Sequence, residues 1–407
     1  MKLLIAADTY HPQVNGAATF TQCLASSLNR RGHQVLIVAP SRKLYNEVYI
    51  HDGIQVLGIR SMPLFIYKDL RISPRMLQGG TLDNAFKTYA PEVVHVQGHF
   101  FICKAAVKTA RAIGLPTVGT NHFMPENLSH YLHLPAFIVE WLHRWGWKQF
   151  RAVFEGIDIV TTPTKTAAQL LQQIGLRKEV LPISNGIDRS RFRPSSNRAQ
   201  LRRENGLPAD KKILLYVGRL DKEKNIDLVL LGFSRVVHTI DLHLVIAGIG
   251  AEERRLKRLM LALGLKEHVT FKGFVPDDTL PGLYATADCF IIAGTAELQS
   301  IVTMEAMASG LPVIGARAIA LPELVQPGIN GCLFDPGDEA GVADCIATVF
   351  SNDSLRKEFS NGSLMIIERH DIEQTVIRFE TIYRDLATGG RPATNPLRHE
   401  AAKPSQL

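Results

Sequence analysis

The sequence predicts an α/β fold: two Rossmann-like, doubly wound parallel-sheet domains in tandem. Three observations carry this reading. Short, continuously apolar runs recur along the chain, as strands buried on both faces require. Each run is followed by a loop and then by a helix-compatible stretch, the βαβ rhythm of a parallel sheet. The rhythm breaks at a polar segment rich in Ser, Arg, Pro and Asn, about residues 189–210, and then starts again.

The elements follow in order. Leu3–Ala7 reads as the first strand, and a turn-rich loop runs to Asn15-Gly16. Ala17–Arg31, free of Pro and Gly, reads as a helix that Gly32 stops, and Gln34–Ala39 is the next strand. Strands are expected at Val93–Val96, Pro116–Thr120 and Ile157–Thr162, with helices at Phe101–Ile113 and Thr166–Ile174. After the break, strands are expected at Lys212–Val217, Leu242–Ala247, Val269–Phe271, Cys289–Ile292 and Pro312–Ile314. Helices are expected at Asn225–Val237, Glu252–Leu263 and Val302–Met307. The domains read as 1–188 and 189–370, followed by a helix over 371–387 and a flexible tail over 388–407.

Composition narrows the class. With 407 residues and 46% hydrophobic side chains, the chain can bury a sizeable core. No apolar run approaches the roughly 20 residues of a membrane span, and the start reads as a buried strand rather than a signal peptide. The five cysteines are scattered without a Cys-x-x-Cys pair, which argues against a disulfide framework or structural zinc and for a reducing cytosol. The net charge is +7, and all of the excess lies in the first half: residues 1–190 carry +8 and the remainder −1. Such an imbalance favours phosphates, nucleic acid or an anionic membrane, although basic proteins are common.

Two segments of the second half carry chemistry. In Gly294–Gly310, Glu297 and Glu305 flank a strand-to-helix turn that contains Gln299, Ser300 and Ile301. A helix starting near Ser300 would aim its first N–H groups at the crevice beside the strand ends, a ready anion site. Glu305, one and a half turns in, suits a pair of ribose hydroxyls; the plain alternative is a surface helix with two solvated acids. In Tyr216–Asn225, Gly218 permits a tight turn, and Arg219 and Lys224 sit beyond a strand end. Two cations there can hold a diphosphate, or they can pair with Asp221 and Glu223.

Together, Arg219 and Lys224, then Glu297 and Glu305 followed by Ala-Met-Ala-Ser-Gly-Leu-Pro-Val, resemble the retaining family-4 glycosyltransferases of the GT-B fold. The resemblance runs from Met1 to about Leu386, and it implies two domains facing a central cleft. It implies that a nucleoside-diphosphate sugar, UDP- or GDP-linked, lies in the C-terminal domain as co-substrate, with no further cofactor. Arg219 and Lys224 would hold its diphosphate, Glu297 would face the donor hexose and Glu305 would bind the ribose. Gly273–Pro276, with Phe274, would border the base. Asn15 and Gly16 would approach from across the cleft, His122 would lie near the sugar, and Ser184–Asp188 would be the hinge. The helix over 371–387 would return to the N-terminal domain. Many relatives carry Gly-Phe-Gly where this chain has Leu298-Gln299-Ser300, which leaves the shape of the sugar pocket open.

No Asp-x-Asp triplet occurs, so no catalytic metal is expected; Arg219, Lys224 and the helix start would stabilise the leaving group. No nucleophile is evident on the sugar side, in keeping with retention by front-face attack.

The acceptor is read from surface chemistry. All three tryptophans, Trp141, Trp145 and Trp147, interleave with Arg144, Lys148 and Arg151, and a second aromatic–basic stretch at Pro63–Arg71 reads as a loop. Both suit an anionic membrane interface. A helix must also bury one face, and burial is the slightly favoured expectation for Trp141 and Trp145. His122–Asn127 with His130-Tyr131 is similar to the glycolipid-forming members of the family. The resulting expectation is a lipid acceptor and a peripheral enzyme on the inner, cytoplasmic face of the plasma membrane. A soluble sugar or polysaccharide acceptor is the alternative, and a non-catalytic nucleotide-sugar binder the second. An oxidoreductase lacks its Gly-x-Gly-x-x-Gly loop, and nucleic-acid binding would not explain the paired cations and carboxylates, so no nucleic-acid partner is expected.

Overall fold

The computed structural model describes residues 1–13, 15–64, 67–74, 80–123 and 136–390. Within these, the chain divides into two compact units. The first holds residues up to 184 together with 373–390, and the second holds residues 185–372.

The first unit is built on an eight-stranded sheet. Its elements are β1 (Lys2–Ala6), α1 (Gly16–Arg30), β2 (Gln34–Pro40), β3 (Glu47–His51) and β4 (Ile54–Ile59). The hairpin β5 (Met62–Leu64) and β6 (Tyr67–Ile72) stands apart, and α2 (Thr81–Tyr89), β7 (Val93–Val96), α3 (Phe101–Ala112) and β8 (Thr117–Thr120) follow. Next come α4 (Ala136–Phe154), β9 (Ile159–Thr162), α5 (Lys165–Gln173) and β10 (Val180–Pro182). The strand order is β10-β9-β8-β7-β1-β2-β4-β3, parallel except for the edge strand β3. The central strands read Leu-Leu-Ile-Ala and Val-Val-His-Val because helices cover both faces. Leu4, Val38, Val94 and Val96 pack with Ile102, Phe150 and Phe154 in the core. Burying each such side chain contributes roughly 1.5–3 kcal/mol.

The second unit repeats the plan on six parallel strands. Its elements are α6 (Arg198–Glu204), β11 (Lys212–Val217), α7 (Ile226–Ser234), β12 (Leu242–Ala247), α8 (Glu253–Ala262) and β13 (Val269–Gly273). Then come α9 (Leu280–Thr286), β14 (Cys289–Ile292), α10 (Ile301–Ala308), β15 (Val313–Ala316), α11 (Leu321–Leu324) and β16 (Gly331–Phe334). The helices α12 (Glu339–Ser351) and α13 (Asp353–Ile367) complete it. The order β13-β12-β11-β14-β15-β16 places a reversal of winding between β11 and β14.

The terminal helix α14 (Ile372–Ala387) belongs to the first unit from Glu373 onward. Glu380 fastens it there through Arg31, at 2.9 Å, and His33, at 2.8 Å. Tyr383 adds a buried hydrogen bond to His95 Nδ1 at 2.7 Å.

Three expectations need correction. The stretch Pro63–Arg71 is not a loop but the hairpin β5–β6, with Phe65 and Ile66 outside the described residues. Its Arg71 guanidinium donates to the carbonyls of Ser41 and Ser61 and to Ser61 Oγ, so it braces the hairpin rather than standing free for a membrane. Cys332 and Cys345 form a disulfide, where the sequence reading has none. The cause is tertiary: β16 and α12 lie side by side, which the spacing of 13 residues does not disclose. Trp141 and Trp145 are 57% and 51% exposed, and only Trp147 packs on the core, edge-on to Phe150.

Candidate active site

The site in the second unit follows from topology. At a reversal of winding, the loops after two neighbouring strands diverge and leave a crevice at the carboxyl ends. Here those loops are Gly218–Asn225 after β11 and Ala293–Ser300 after β14. Asn225 takes the left-handed conformation, φ 48°, which asparagine tolerates. Its Nδ2 donates to Ala293 O at 3.0 Å and ties the two loops together. Gly248, after β12, is obligatory for space: a Cβ there would lie 1.8 Å from Gly218 O.

The crevice brings three of the sequence-predicted residues into one charge cluster. Lys224 Nζ lies 2.5 Å from Glu297 Oε1, and both side chains are largely buried. Arg219 pairs with Asp221 and, through Nη2, with Glu223 Oε1 at 2.8 Å. The structure shows these cations paired: Arg219 meets the acids of its own loop, and Lys224 meets Glu297 from the neighbouring loop. A Cβ at Gly294 would press to 3.0 Å from Glu297 Oε1, so glycine keeps room beside the Lys–Glu pair.

The helix α10 starts where Ser300 caps it, its Oγ accepting from Thr303 N–H at 3.3 Å. Ile301 is its first residue, partly buried against the core. Glu305, in the second turn, is buried, and Tyr284 Oη donates to its Oε2 at 2.8 Å. Burial pushes the Glu305 carboxyl up to about 7, partly offset by the Tyr284 hydrogen bond and by Arg191 and reinforced by Asp277. Gln299 turns to the chain entering this unit, its Oε1 accepting from Asn185 N–H at 2.8 Å. Phe274, just beyond β13, is exposed.

The remaining predicted residues lie in the first unit. Asn15 caps α1, its Oδ1 accepting from Ala18 N–H at 2.9 Å, and Gly16 opens the helix. His122, two residues past β8, hydrogen-bonds Gln97 Oε1 through Nε2 at 2.9 Å. Burial lowers its pKa to about 3, so it is a neutral imidazole at physiological pH. Around it, Asn121 Nδ2 and His99 Nδ1 are buried without a hydrogen-bond partner among the described residues. Asp8 accepts from the backbone N–H groups of Phe100 and Ile102 and so caps α3 from outside.

Sequence reasoning missed Tyr284, Asn225, Gln97 and Asp8. Each meets its partner across at least 21 positions, so no local spacing could have found them.

On the surface of the first unit, α4 presents Phe137, Trp141 and Trp145 at four-residue spacing. Phe137 is 72% exposed, and Arg144 flanks the row. The stretch 124–135, with its glycolipid-like residues, lies outside the described residues. No helix among the described residues is long and apolar enough to cross a membrane, and no cluster of three or more His, Cys, Asp or Glu there could hold a metal ion.

Comparison with known proteins meets this geometry at both units. Residues 14–191 match the model of Glycosyltransferase Family 4, and residues 197–363 match that of Glycosyl transferases group 1. The chain is 31% identical to alpha-monoglucosyldiacylglycerol synthase of Streptococcus pneumoniae, covering 82% of this chain and 75% of that one. This chain belongs to the family-4 glycosyltransferases. The family enzyme is also 26% identical to a GDP-mannose-dependent alpha-mannosyltransferase of Corynebacterium glutamicum, over 88% and 82% of the two chains. Sucrose-phosphate synthase from Thermosynechococcus elongatus shares its GT-B fold, with a TM-score of 0.79, 19% identity and coverage of 96% and 100%. The chain is thus a glycosyltransferase.

Proposed function

We propose that this enzyme moves a hexose, with retention and without a metal ion, from a UDP- or GDP-sugar to a membrane lipid such as a diacylglycerol- or phospholipid-type acceptor. The observation that carries the donor half is the Lys224–Glu297 pair beside Arg219 at the switch point of the second unit. Before the donor arrives, carboxylates hold both cations in position. A diphosphate brings more negative charge than Glu297, so Lys224 transfers to it, and Glu297 is left facing the sugar. As the bond from the donor's anomeric carbon to the diphosphate breaks, charge builds on the diphosphate, where Arg219, Lys224 and the α10 N–H groups would stabilise it. The absence of an Asp-x-Asp triplet supports a metal-free leaving group.

The acceptor half rests on the exposed Phe137–Trp141–Trp145 row in a half-chain of +8, and on likeness to a glycolipid synthase. In this reading the enzyme sits peripherally on the cytoplasmic face of the membrane, and Asn121 Nδ2 and His99 Nδ1, without a partner among the described residues, suit an uncharged acceptor hydroxyl. The second reading, a soluble sugar acceptor, is favoured by likeness to relatives such as N-acetyl-alpha-D-glucosaminyl L-malate synthase of Bacillus anthracis. Transfer assays with UDP- and GDP-hexoses, offered diacylglycerol in vesicles or soluble sugars, with and without EDTA, decide between them. Lipid product formed in EDTA supports the proposal, whereas product on soluble sugar alone overturns its acceptor.

A further inference from the structure

Glu305 is held in an unusual way for a ligand-binding carboxylate. Its Oε2 is committed to the Tyr284 hydroxyl at 2.8 Å, while its Oε1 has no protein partner among the described residues. The helix beneath it is fixed, since Ser309 Oγ donates to Glu305 O at 2.9 Å and Ser300 caps the first turn. Tyr284 is equally fixed. Its ring is fully buried, edge-on to Phe192 at 5.8 Å and tilted against Phe290 at 6.0 Å. The hydroxyl therefore cannot follow a moving carboxylate; the carboxylate must come to it.

We propose that Tyr284 is the positioning residue for the ribose-binding carboxylate, holding Glu305 so that Oε1 alone meets the ribose hydroxyls and thereby setting the preference of the site for ribonucleotides over deoxyribonucleotides. The inference rests on the reading of Glu305 as the ribose ligand. Among the described residues, the groups acting on Glu305 are the neutral Tyr284 hydroxyl from α9 and two charges, Asp277 from the loop before it and Arg191 from the segment after the domain boundary, themselves paired at 3.2 Å. Of these, only Tyr284 has a hydrogen bond to the carboxylate, so it alone can fix the direction of the free oxygen. A carboxylate without that donor rotates and also becomes harder to ionise, and both changes weaken its bonds to a vicinal diol.

The test compares the affinities of UDP and GDP with those of their 2′-deoxy and 3′-deoxy counterparts by titration calorimetry, on wild type, Tyr284→Phe and Glu305→Gln. The expected result is a ribonucleotide preference on the order of tenfold in the wild type that falls to near unity in both variants, with deoxynucleotide affinity changed less than about twofold in Tyr284→Phe. A Tyr284→Phe enzyme that keeps the full preference while Glu305→Gln loses it overturns the proposal and leaves the ribose reading of Glu305 intact. Equal weakening of ribo- and deoxynucleotides in Tyr284→Phe also overturns it, because that is the mark of a structural role. A preference unchanged in both variants removes the ribose reading of Glu305 itself, and the proposal with it. Should Tyr284→Phe not fold, 3-fluorotyrosine at position 284, which keeps the ring and strengthens the donor, must raise the preference; no rise counts against the proposal.

Discussion

At the carboxyl ends of their strands the two units gather opposite kinds of side chain. The second unit collects Arg219, Lys224, Asp221, Glu223 and Glu297 in two adjoining loops, each cation held by a carboxylate. The first unit collects His122, Gln97, His99 and Asn121, and burial keeps both histidines neutral. The outer surfaces differ in the reverse sense, since the first half of the chain carries the whole positive excess and an exposed aromatic row. The lesson is electrostatic. On the proposed reading, a crevice for a polyanion needs its cations in place beforehand, and internal carboxylates would keep them ordered until the ligand displaces one. A site meant for an uncharged hydroxyl needs neutral donors and acceptors, and a charge there would only cost desolvation.

The comparison breaks first at the cations. Arg219→Ala and Lys224→Ala should each lower turnover at saturating donor by about 10²-fold or more, because each removes charge stabilisation that grows as the diphosphate leaves. Near-normal turnover in both would place the diphosphate elsewhere.

The next effect is on pH. Nucleotide affinity should rise from about pH 6 to pH 8 as Glu305, raised to about 7, loses its proton. That limb should vanish in Glu305→Gln and persist in His122→Asn, since His122 does not titrate in this range. The linkage sign is opposite for stability. A carboxyl whose folded pKa lies above its unfolded value stabilises the fold below pH 4.5 and loses that stability as pH rises through about 7. Glu305→Gln should therefore stabilise the protein at pH 8, by on the order of 1–3 kcal/mol, measured by denaturant unfolding.

Smaller effects sharpen the surface half of the contrast. Replacing Phe137 and Trp141 by Ser should weaken binding to anionic vesicles several-fold and leave nucleotide affinity unchanged, as co-sedimentation and calorimetry would report. Arg71→Ser should do the reverse of what its place in an aromatic–basic stretch suggests. It should lower stability by about 1–3 kcal/mol, because two carbonyls lose a charged donor, and leave vesicle binding as it was.

The sequence announced features that depend on local periodicity. The apolar runs from Leu3 and from Lys212, the helix start near Ser300, and the cation and carboxylate spacings were all legible, whereas the capping roles of Asn15 and Ser300 come from the structure. What stayed hidden is whatever two distant segments make together. The antiparallel edge strand β3, the Cys332–Cys345 link and the Arg71 brace depend on tertiary neighbours. The exposure of Trp141 could not be read from its four-residue spacing, which is the same for a core face and a surface row. The Lys224–Glu297 contact spans 73 positions; each residue was visible alone, and only the winding reversal between β11 and β14 puts them side by side.

The central claim is that the second unit holds the donor by its diphosphate through Lys224 and Arg219 without a metal. Calorimetry of UDP and GDP against uridine and guanosine, in EDTA, on wild type and Lys224→Ala, tests it most directly. The account predicts that the wild type binds a diphosphate far more tightly than its nucleoside in EDTA, and that Lys224→Ala loses most of that difference while its nucleoside affinity holds. A diphosphate advantage that appears only with added Mg²⁺ or Mn²⁺, or that survives intact in Lys224→Ala, would contradict it.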